Sequence, residues 1–160
     1  MASSAFDRLT SSLEYPMVIV TAATRRDIAG CLVGFHTQCS LDPPRYCVYL
    51  STANHTYRVA RRASHLLVHF LDRRQHELAQ HFGELTGDEV DKFASVRWRP
   101  GPDGRTPRLV DVDTWLFGRV ERRHDAGDHV AFVLDPVHTR RARRFSQLDF
   151  QQVRDLRAPH

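Results

Sequence analysis

Lysine is almost absent from this 160-residue sequence, in which Lys92 is the single lysine among 23 basic residues. The other basic residues are arginines, mostly in pairs and mixed with 19 acidic residues, and only Arg140–Arg144 form a dense cluster. This distribution favours a solvated, arginine-biased surface over a continuous phosphate-binding stripe. Despite a net charge of +4, nucleic acid is therefore not the expected partner.

Cysteine is also scarce. Cys31, Cys39 and Cys47 are odd in number, eight residues apart and without a CxxC pair. This pattern excludes a disulfide framework and is a poor match to zinc-ligand spacing, so free and mostly buried thiols are expected. An HExxH motif is missing as well, and no metal site is predicted.

Long apolar runs are missing. No stretch approaches the ~20 apolar residues that cross a bilayer, and the first residues lack the basic head and apolar run of a signal peptide. A cytoplasmic location without membrane contact is the expectation. The motifs GxGxxG, GxxxxGK[ST] and GxSxG are absent too, so a Rossmann domain, a P-loop and an α/β-hydrolase have no support.

The hydrophobic content of 41% is ordinary for a soluble protein, and residues 1–160 are predicted to form one domain. Helices are predicted over 3–13, 55–64 and 74–82, the last capped by Asp72, with a helical turn before Lys92 and an exposed loop over 99–108. Strands are predicted over Met17–Ala23, Ile28–Gly34, Arg45–Leu50, His65–Leu71, Thr114–Arg122, His129–Leu134 and Leu148–Leu156. Pro136 is expected to end the sixth strand. Many strands with few helices indicate a mainly β fold, a barrel or sandwich with peripheral helices.

The segment Gly30–Pro44 is an apolar strand that runs into small and hydroxyl-bearing residues and stops at two prolines. Glycine and hydroxyls at a turn suit a backbone that comes close to a ligand. A hairpin with a polar crossing is an equally simple interpretation.

Three further places carry polar groups that the fold does not obviously need. Ser51–Tyr57 joins a strand to a helix start capped by Asn54, which suits a phosphate or is simple capping. Lys92 precedes Phe93 and is either a phosphate-binding charge or a surface lysine. At Gly127–His129, the histidine is either a group that orients a substrate or moves a proton, or a structural residue at a strand start.

Four fragments follow one another along the chain: VIVTAATRRDIAGCLVGFHTQCSLDPPRYCVYLSTANHTY, FLDRRQHELAQHF, DKF and GDHVAFVLDPV. In this order they resemble the flavin reductase-like FMN-binding family. The resemblance runs from about Met17 to Val137. It implies a split β-barrel of Greek-key-like topology that acts as a homodimer. It also implies hydride transfer from a nicotinamide to a flavin, a reaction in which the protein holds the two rings together and excludes water.

The resemblance implies a role for each matching residue. His129 would be the catalytic residue that faces the nicotinamide, and Lys92 and Phe93 would close over the phosphate side of the flavin. Residues that would hold the ribityl chain and phosphate are Ser51, Ala53, Asn54 and Thr56. Residues that would line the isoalloxazine and ribityl chain are Gly34, Phe35, Thr37, Gln38, Cys39 and Ser40.

The sequence departs from the family pattern at Leu32 and at Gly34-Phe35, where many members have a Thr and an Asn-Ser pair. The implied function is an NAD(P)H-dependent flavin reductase that uses FMN or FAD with NADH or NADPH and supplies reduced flavin to a partner monooxygenase. One alternative is a flavoprotein that keeps FMN and reduces another small molecule. The other is a non-catalytic module that binds an acidic partner through Arg140–Arg144.

Overall fold

The computed structural model describes residues 3–85, 87 and 91–156. Within these residues the α-helices are α1 (Ala5–Thr10), α2 (His55–Ala60) and α3 (His76–Glu84), and a short 3₁₀ helix covers Phe150–Gln152. The strands are β1 (Val18–Ala23), β2 (Ile28–Val33), β3 (His36–Leu41), β4 (Pro44–Ser51), β5 (His65–Phe70), β6 (Trp98–Pro100), β7 (Pro107–Leu109), β8 (Trp115–Asp125) and β9 (His129–Arg140). The predicted mainly β fold with peripheral helices is confirmed.

Seven strands form one antiparallel sheet in the order β2-β1-β5-β8-β9-β4-β3. Its two outermost strands, β2 and β3, are consecutive in the chain and are joined only by Gly34 and Phe35. A connection of two residues spans about 11 Å at most. The sheet must therefore curve until its two edges almost meet, which makes a barrel with a seam at Gly34-Phe35.

Strand β1 is buried along its whole length. Val18 and Val20 pack into the barrel interior with Phe132, whereas Ile19 faces a second apolar cluster that includes Phe82 of α3. Because both faces of β1 are covered, its sequence does not alternate, and Thr21 is its single polar residue. No helix among the described residues is long and apolar enough to cross a membrane.

The segment 99–108, predicted to be an exposed loop, contributes to a small hairpin of β6 and β7 docked on the main sheet. Two buried hydrogen bonds attach it: the Thr21 hydroxyl donates to the Pro107 carbonyl at 2.6 Å, and the Leu109 amide donates to Nε2 of His69 at 3.0 Å. Burial lowers the pKa of His69 to about 4, so its ring is neutral and can accept. These tertiary contacts override the loop signal of the prolines and glycines.

One prediction about prolines holds and one was wrong. The polar residues before Pro43 form strand β3 and not a turn, but this strand ends at Leu41, as the two prolines predict, and β4 begins at Pro44. Pro136 does not end β9, which continues to Arg140. It lies opposite Gly118 at a register shift of the β8–β9 pair, and β-bulges accept proline because the ladder is already interrupted there.

The remaining differences concern chain ends and helix starts. The region predicted as a strand over Leu148–Leu156 contains the 3₁₀ helix. Leu148 bonds through its backbone to Met17 and Leu71, and Phe150 bonds to Tyr15, but the amides of Gln152, Val153 and Leu156 bond within the segment itself. Helix α3 starts after Gln75 and not after Asp72, and it runs one residue past Gly83. The helical turn expected before Lys92 falls in part on residues outside those described.

Candidate functional site

A cavity of about 250 Å³ lies at the barrel seam, close to the lower end of the volumes usual for small-molecule sites. It is built where β2 and β4 end and β9 begins, with the end of α3 on one side. Its lining residues are Tyr15, Met17, Cys31, Leu32, Val33, Gly34, Phe35, Tyr49, Leu50, Ser51, Ala53, Asn54, His55, Phe82, Gly83, Leu85, His129 and Phe150. Six segments that are separate in sequence therefore meet at one place.

Aromatic rings form one wall of this cavity. Phe150 stacks on Tyr15 with ring centroids 4.6 Å apart, and Tyr15 meets Phe35 edge-on at 6.1 Å. Phe35 in turn lies 5.1 Å from the ring of His129. Such a row of rings suits a flat aromatic ligand, which gains dispersion and stacking energy against it.

Uncharged polar groups line the cavity at the junction of β4 and α2. The Ser51 hydroxyl accepts the Ala53 amide at 3.3 Å, and Asn54 caps α2 by accepting the Thr56 amide at 2.9 Å. Thr52 donates twice to the Asp128 carbonyl, which ties this junction to the β8–β9 turn. Ser51 is also the cross-strand partner of His129 in the β4–β9 pair, so the junction and His129 lie side by side.

His129 is the first residue of β9 and half-buried at the cavity edge. Its Nδ1 lies 2.7 Å from the Asp128 carboxylate. Since a carboxylate only accepts, Nδ1 carries the proton and donates, and Nε2 is left for a ligand. This arrangement fixes the tautomer and the orientation of the ring.

The departures at Leu32, Gly34 and Phe35 have a structural explanation. A Cβ at position 34 would stand 2.6 Å from Cε2 of Tyr15, so glycine is required for the Tyr15 ring to reach the seam. Leu32 packs against Gly83 of α3, where an added Cβ would meet the leucine at 2.9 Å. Phe35 contributes its ring to the aromatic wall. Apolar and aromatic surface thus stands where polar groups were expected.

Four predicted site residues lie on β3, outside the cavity: Thr37, Gln38, Cys39 and Ser40. The Thr37 hydroxyl and the Gln38 amide bond only to nearby backbone carbonyls. Thr56 is also outside, because it lies on the buried face of α2. The cavity brings together Gly34, Phe35, Ser51, Ala53, Asn54 and His129.

Lys92 and Phe93 line a neighbouring depression of about 390 Å³ that shares His55 with the cavity. The Lys92 ammonium is buried and donates to the carbonyls of Gly30 and Phe82 at 3.0 and 3.1 Å. Burial lowers the pKa of this lysine. Phe93 is buried against Phe82 and Trp98. In this structure both residues hold β2 against α3.

Sequence reasoning missed much of the wall. Tyr15 precedes the first strand, Phe150 belongs to a segment predicted as a strand, and Leu85 follows α3. These residues reach the cavity through long-range pairing, such as the bond from the Phe150 amide to the Tyr15 carbonyl. No local sequence pattern predicts that pairing.

The cavity is suited to an uncharged, planar ring system. No Asp, Glu, Lys or Arg is found among the described residues that line it. Within the described part of the chain, no group of three or more His, Cys, Asp or Glu side chains is placed to hold a metal ion. The aromatic row, the neutral lining and the polar junction together fit an isoalloxazine ring.

Comparison with known proteins agrees with this chemistry. A family model described as "Flavin reductase like domain" matches residues 10–154. A Rhizobium meliloti (strain 1021) protein named "Probable flavin reductase" is 33% identical over 118 residues, which cover 71% of this chain and 37% of that protein. The 4-hydroxyphenylacetate 3-monooxygenase reductase component of Klebsiella oxytoca is 27% identical over 72% of this chain and 70% of its own length.

A solved structure supports the fold. The NADH:FAD oxidoreductase SgcE6 of Streptomyces globisporus C-1027 superposes with a TM-score of 0.81, covering 90% of this chain and 86% of that one, at 20% identity. The expected split-barrel fold is confirmed by this likeness. The chain spans 37%, 54% and 52% of the first three curated relatives that it matches.

Proposed function

Since this chain belongs to the flavin reductase-like domain family, we propose that it is an NAD(P)H-dependent flavin reductase. Two of its relatives are named as reductase components of monooxygenases. We extend the proposal to the fate of the product: reduced flavin passes to a partner monooxygenase. Residues 1–160 would act as one domain, and the enzyme as a homodimer.

The observation that carries this proposal is the aromatic row Phe150–Tyr15–Phe35–His129 along an uncharged cavity. A neutral heteroaromatic ring fits such a wall, and a charged substrate would find no opposite charge there. The polar junction at Ser51 and Asn54 supplies hydrogen-bonding groups for a ribityl chain.

When bound, a flavin supplies the acceptor for the hydride of NAD(P)H. The protein positions the rings: Phe35 and Tyr15 limit where a flat ligand lies, and the Asp128–His129 pair presents Nε2 at the cavity edge. Nε2 would accept a hydrogen bond from a carboxamide N–H, which would orient a nicotinamide. Holding two reactants in contact removes much of the entropic barrier to their reaction.

The decisive experiment measures NADH and NADPH oxidation by the purified protein with added FMN or FAD. Saturable turnover of free flavin supports the proposal. The proposal would be contradicted if a protein that circular dichroism shows to be folded did not turn over any flavin. A yellow protein with one FMN per chain and no turnover of added flavin would favour the alternative in which FMN stays bound.

The polar groups of β3 bear on the homodimer. Thr37, Gln38 and Cys39 are exposed on a strand at the sheet edge, away from the cavity in a single chain. Light scattering coupled to size-exclusion chromatography would test the proposed dimer, and a monomer that still reduces flavin would contradict it.

A further inference from the structure

A groove of about 500 Å³ on the outer side of α2 is dominated by arginine. Asp27 is the single carboxylate among the described residues that line it. The five arginines that line it are Arg25, Arg26, Arg58, Arg62 and Arg105. They come from three places, namely the β1–β2 turn, helix α2 with the turn after it, and the segment between β6 and β7. The fold therefore concentrates positive charge that the sequence shows only as scattered pairs.

Most of this charge is uncompensated. In the part of the chain that the structure describes, the guanidinium groups of Arg25, Arg26, Arg62 and Arg105 have no carboxylate within ion-pair distance. By contrast, Arg45 pairs with both Glu121 and Asp135 on the barrel wall, at 2.7 and 3.1 Å. Like charges held together destabilise a folded protein, and a bound anion removes that cost.

The groove is linked to the proposed flavin site through shared lining residues. The cavity at the seam shares His55 with the Lys92 depression, and this depression shares Arg26 and Asp27 with the groove. Arg58 lies three residues after His55, about 4.5 Å further along the helix axis, and its Nη2 is 3.4 Å from the His55 ring. A ligand that starts in the cavity and passes His55 would meet the arginines next.

We propose that the arginine groove binds the adenylate phosphate of a dinucleotide whose reactive ring occupies the seam cavity. Guanidinium groups suit phosphate oxygens because they offer paired donors in one plane. The shared chemistry is a phosphorylated adenosine, supplied either by FAD or by the nicotinamide dinucleotide. This proposal rests on the proposed function and adds a preference of the site for dinucleotides over FMN.

The test compares two double variants that remove equal charge. R26Q/R62Q removes two groove arginines, and the matched control R141Q/R143Q removes two exposed arginines of the loop after β9. Calorimetric titration with ADP at low salt measures the groove directly, without flavin or turnover. Affinities for FAD and FMN and KM values for NADH and NADPH then identify the source of the adenylate.

ADP affinity should fall about tenfold in R26Q/R62Q, as expected for two lost charge-assisted contacts at an exposed site, and stay at the wild-type value in the control. A parallel loss for FAD but not FMN assigns the groove to the flavin; a raised KM for NADH or NADPH alone assigns it to the nicotinamide dinucleotide. Equal losses in both variants, or no ADP binding to the wild type, would overturn the proposal. Because ADP binding needs no catalysis, the titration can be interpreted even if the protein does not reduce flavin.

Discussion

The segment from Cys31 to Ser40 divides into two halves with opposite surroundings. Cys31, Gly34 and Phe35 face the seam cavity, whereas Thr37, Gln38 and Cys39 are exposed on the edge strand β3. The polar half looks more like a binding site in the sequence, yet the apolar half forms the cavity. A flat neutral ligand is bound by ring surface and shape, and hydroxyls on an outer strand contribute nothing to that unless a second chain covers them.

The largest difference should be in thiol reactivity. Cys39 is exposed, whereas Cys31 is buried and its pKa is raised by that burial. We expect Cys39 to react with a thiol reagent at least about a hundredfold faster than Cys31, because only an accessible thiolate is nucleophilic. Both cysteines lie in the tryptic peptide of residues 27–45, so tandem mass spectrometry, which locates the label by fragmentation, measures both rates. Equal labelling in the native protein would show that the two halves are not separated as described.

The next effect concerns Gly34. Gly34→Asn, which restores the residue type of the family pattern, places a side chain against Tyr15 and should lower the free energy of unfolding by about 2 kcal/mol through overpacking. Urea unfolding measures this change. The double variant Gly34→Asn/Tyr15→Ala should not show the clash, and Gln38→Ala in the outer half should leave stability unchanged. A fully stable Gly34→Asn protein would contradict the proposed role of the tyrosine.

His129 tests the cavity edge at the start of β9. His129→Ala should reduce kcat for NAD(P)H oxidation about tenfold, the size of one lost orienting hydrogen bond, while flavin affinity changes little. Stopped-flow measurement of hydride transfer together with flavin titration separates the two quantities. The reverse result, weak flavin binding with normal transfer, would assign His129 to the flavin instead of the nicotinamide.

The smallest effect is expected at Phe35. Phe35→Ala removes the exposed middle ring of the aromatic row and should weaken flavin binding about fivefold, which corresponds to roughly 1 kcal/mol of stacking energy. Thr37→Ala, two residues away on β3, is the matched control. Fluorescence titration with FMN or FAD gives both affinities, and equal losses would place the flavin against both halves of the segment.

The elements that could be predicted are those whose pattern reflects their own burial. β1, β2, β4, β5 and α2 are found close to their predicted positions, since buried strands are rich in apolar and β-branched residues and Asn54 is a strong cap. Elements stabilised by distant partners were misjudged. The 99–108 segment looks like a loop until Thr21 and His69 bond to it.

For the site, the sequence alone determined that Ser51, Asn54 and His129 would lie at element junctions, because caps and strand starts have local signals. It also determined a mainly β chain, through the periodicity and number of its strands. Only the tertiary structure decided which residues meet at the seam. Tyr15 and Phe150 reach Phe35 through backbone pairing across more than a hundred residues, and the two-residue connection at Gly34-Phe35 curves the sheet until its edges face each other. The closure of the barrel by residues distant in sequence produces no periodic pattern in the sequence. The aromatic wall and the arginine groove can therefore be recognised only in the folded barrel.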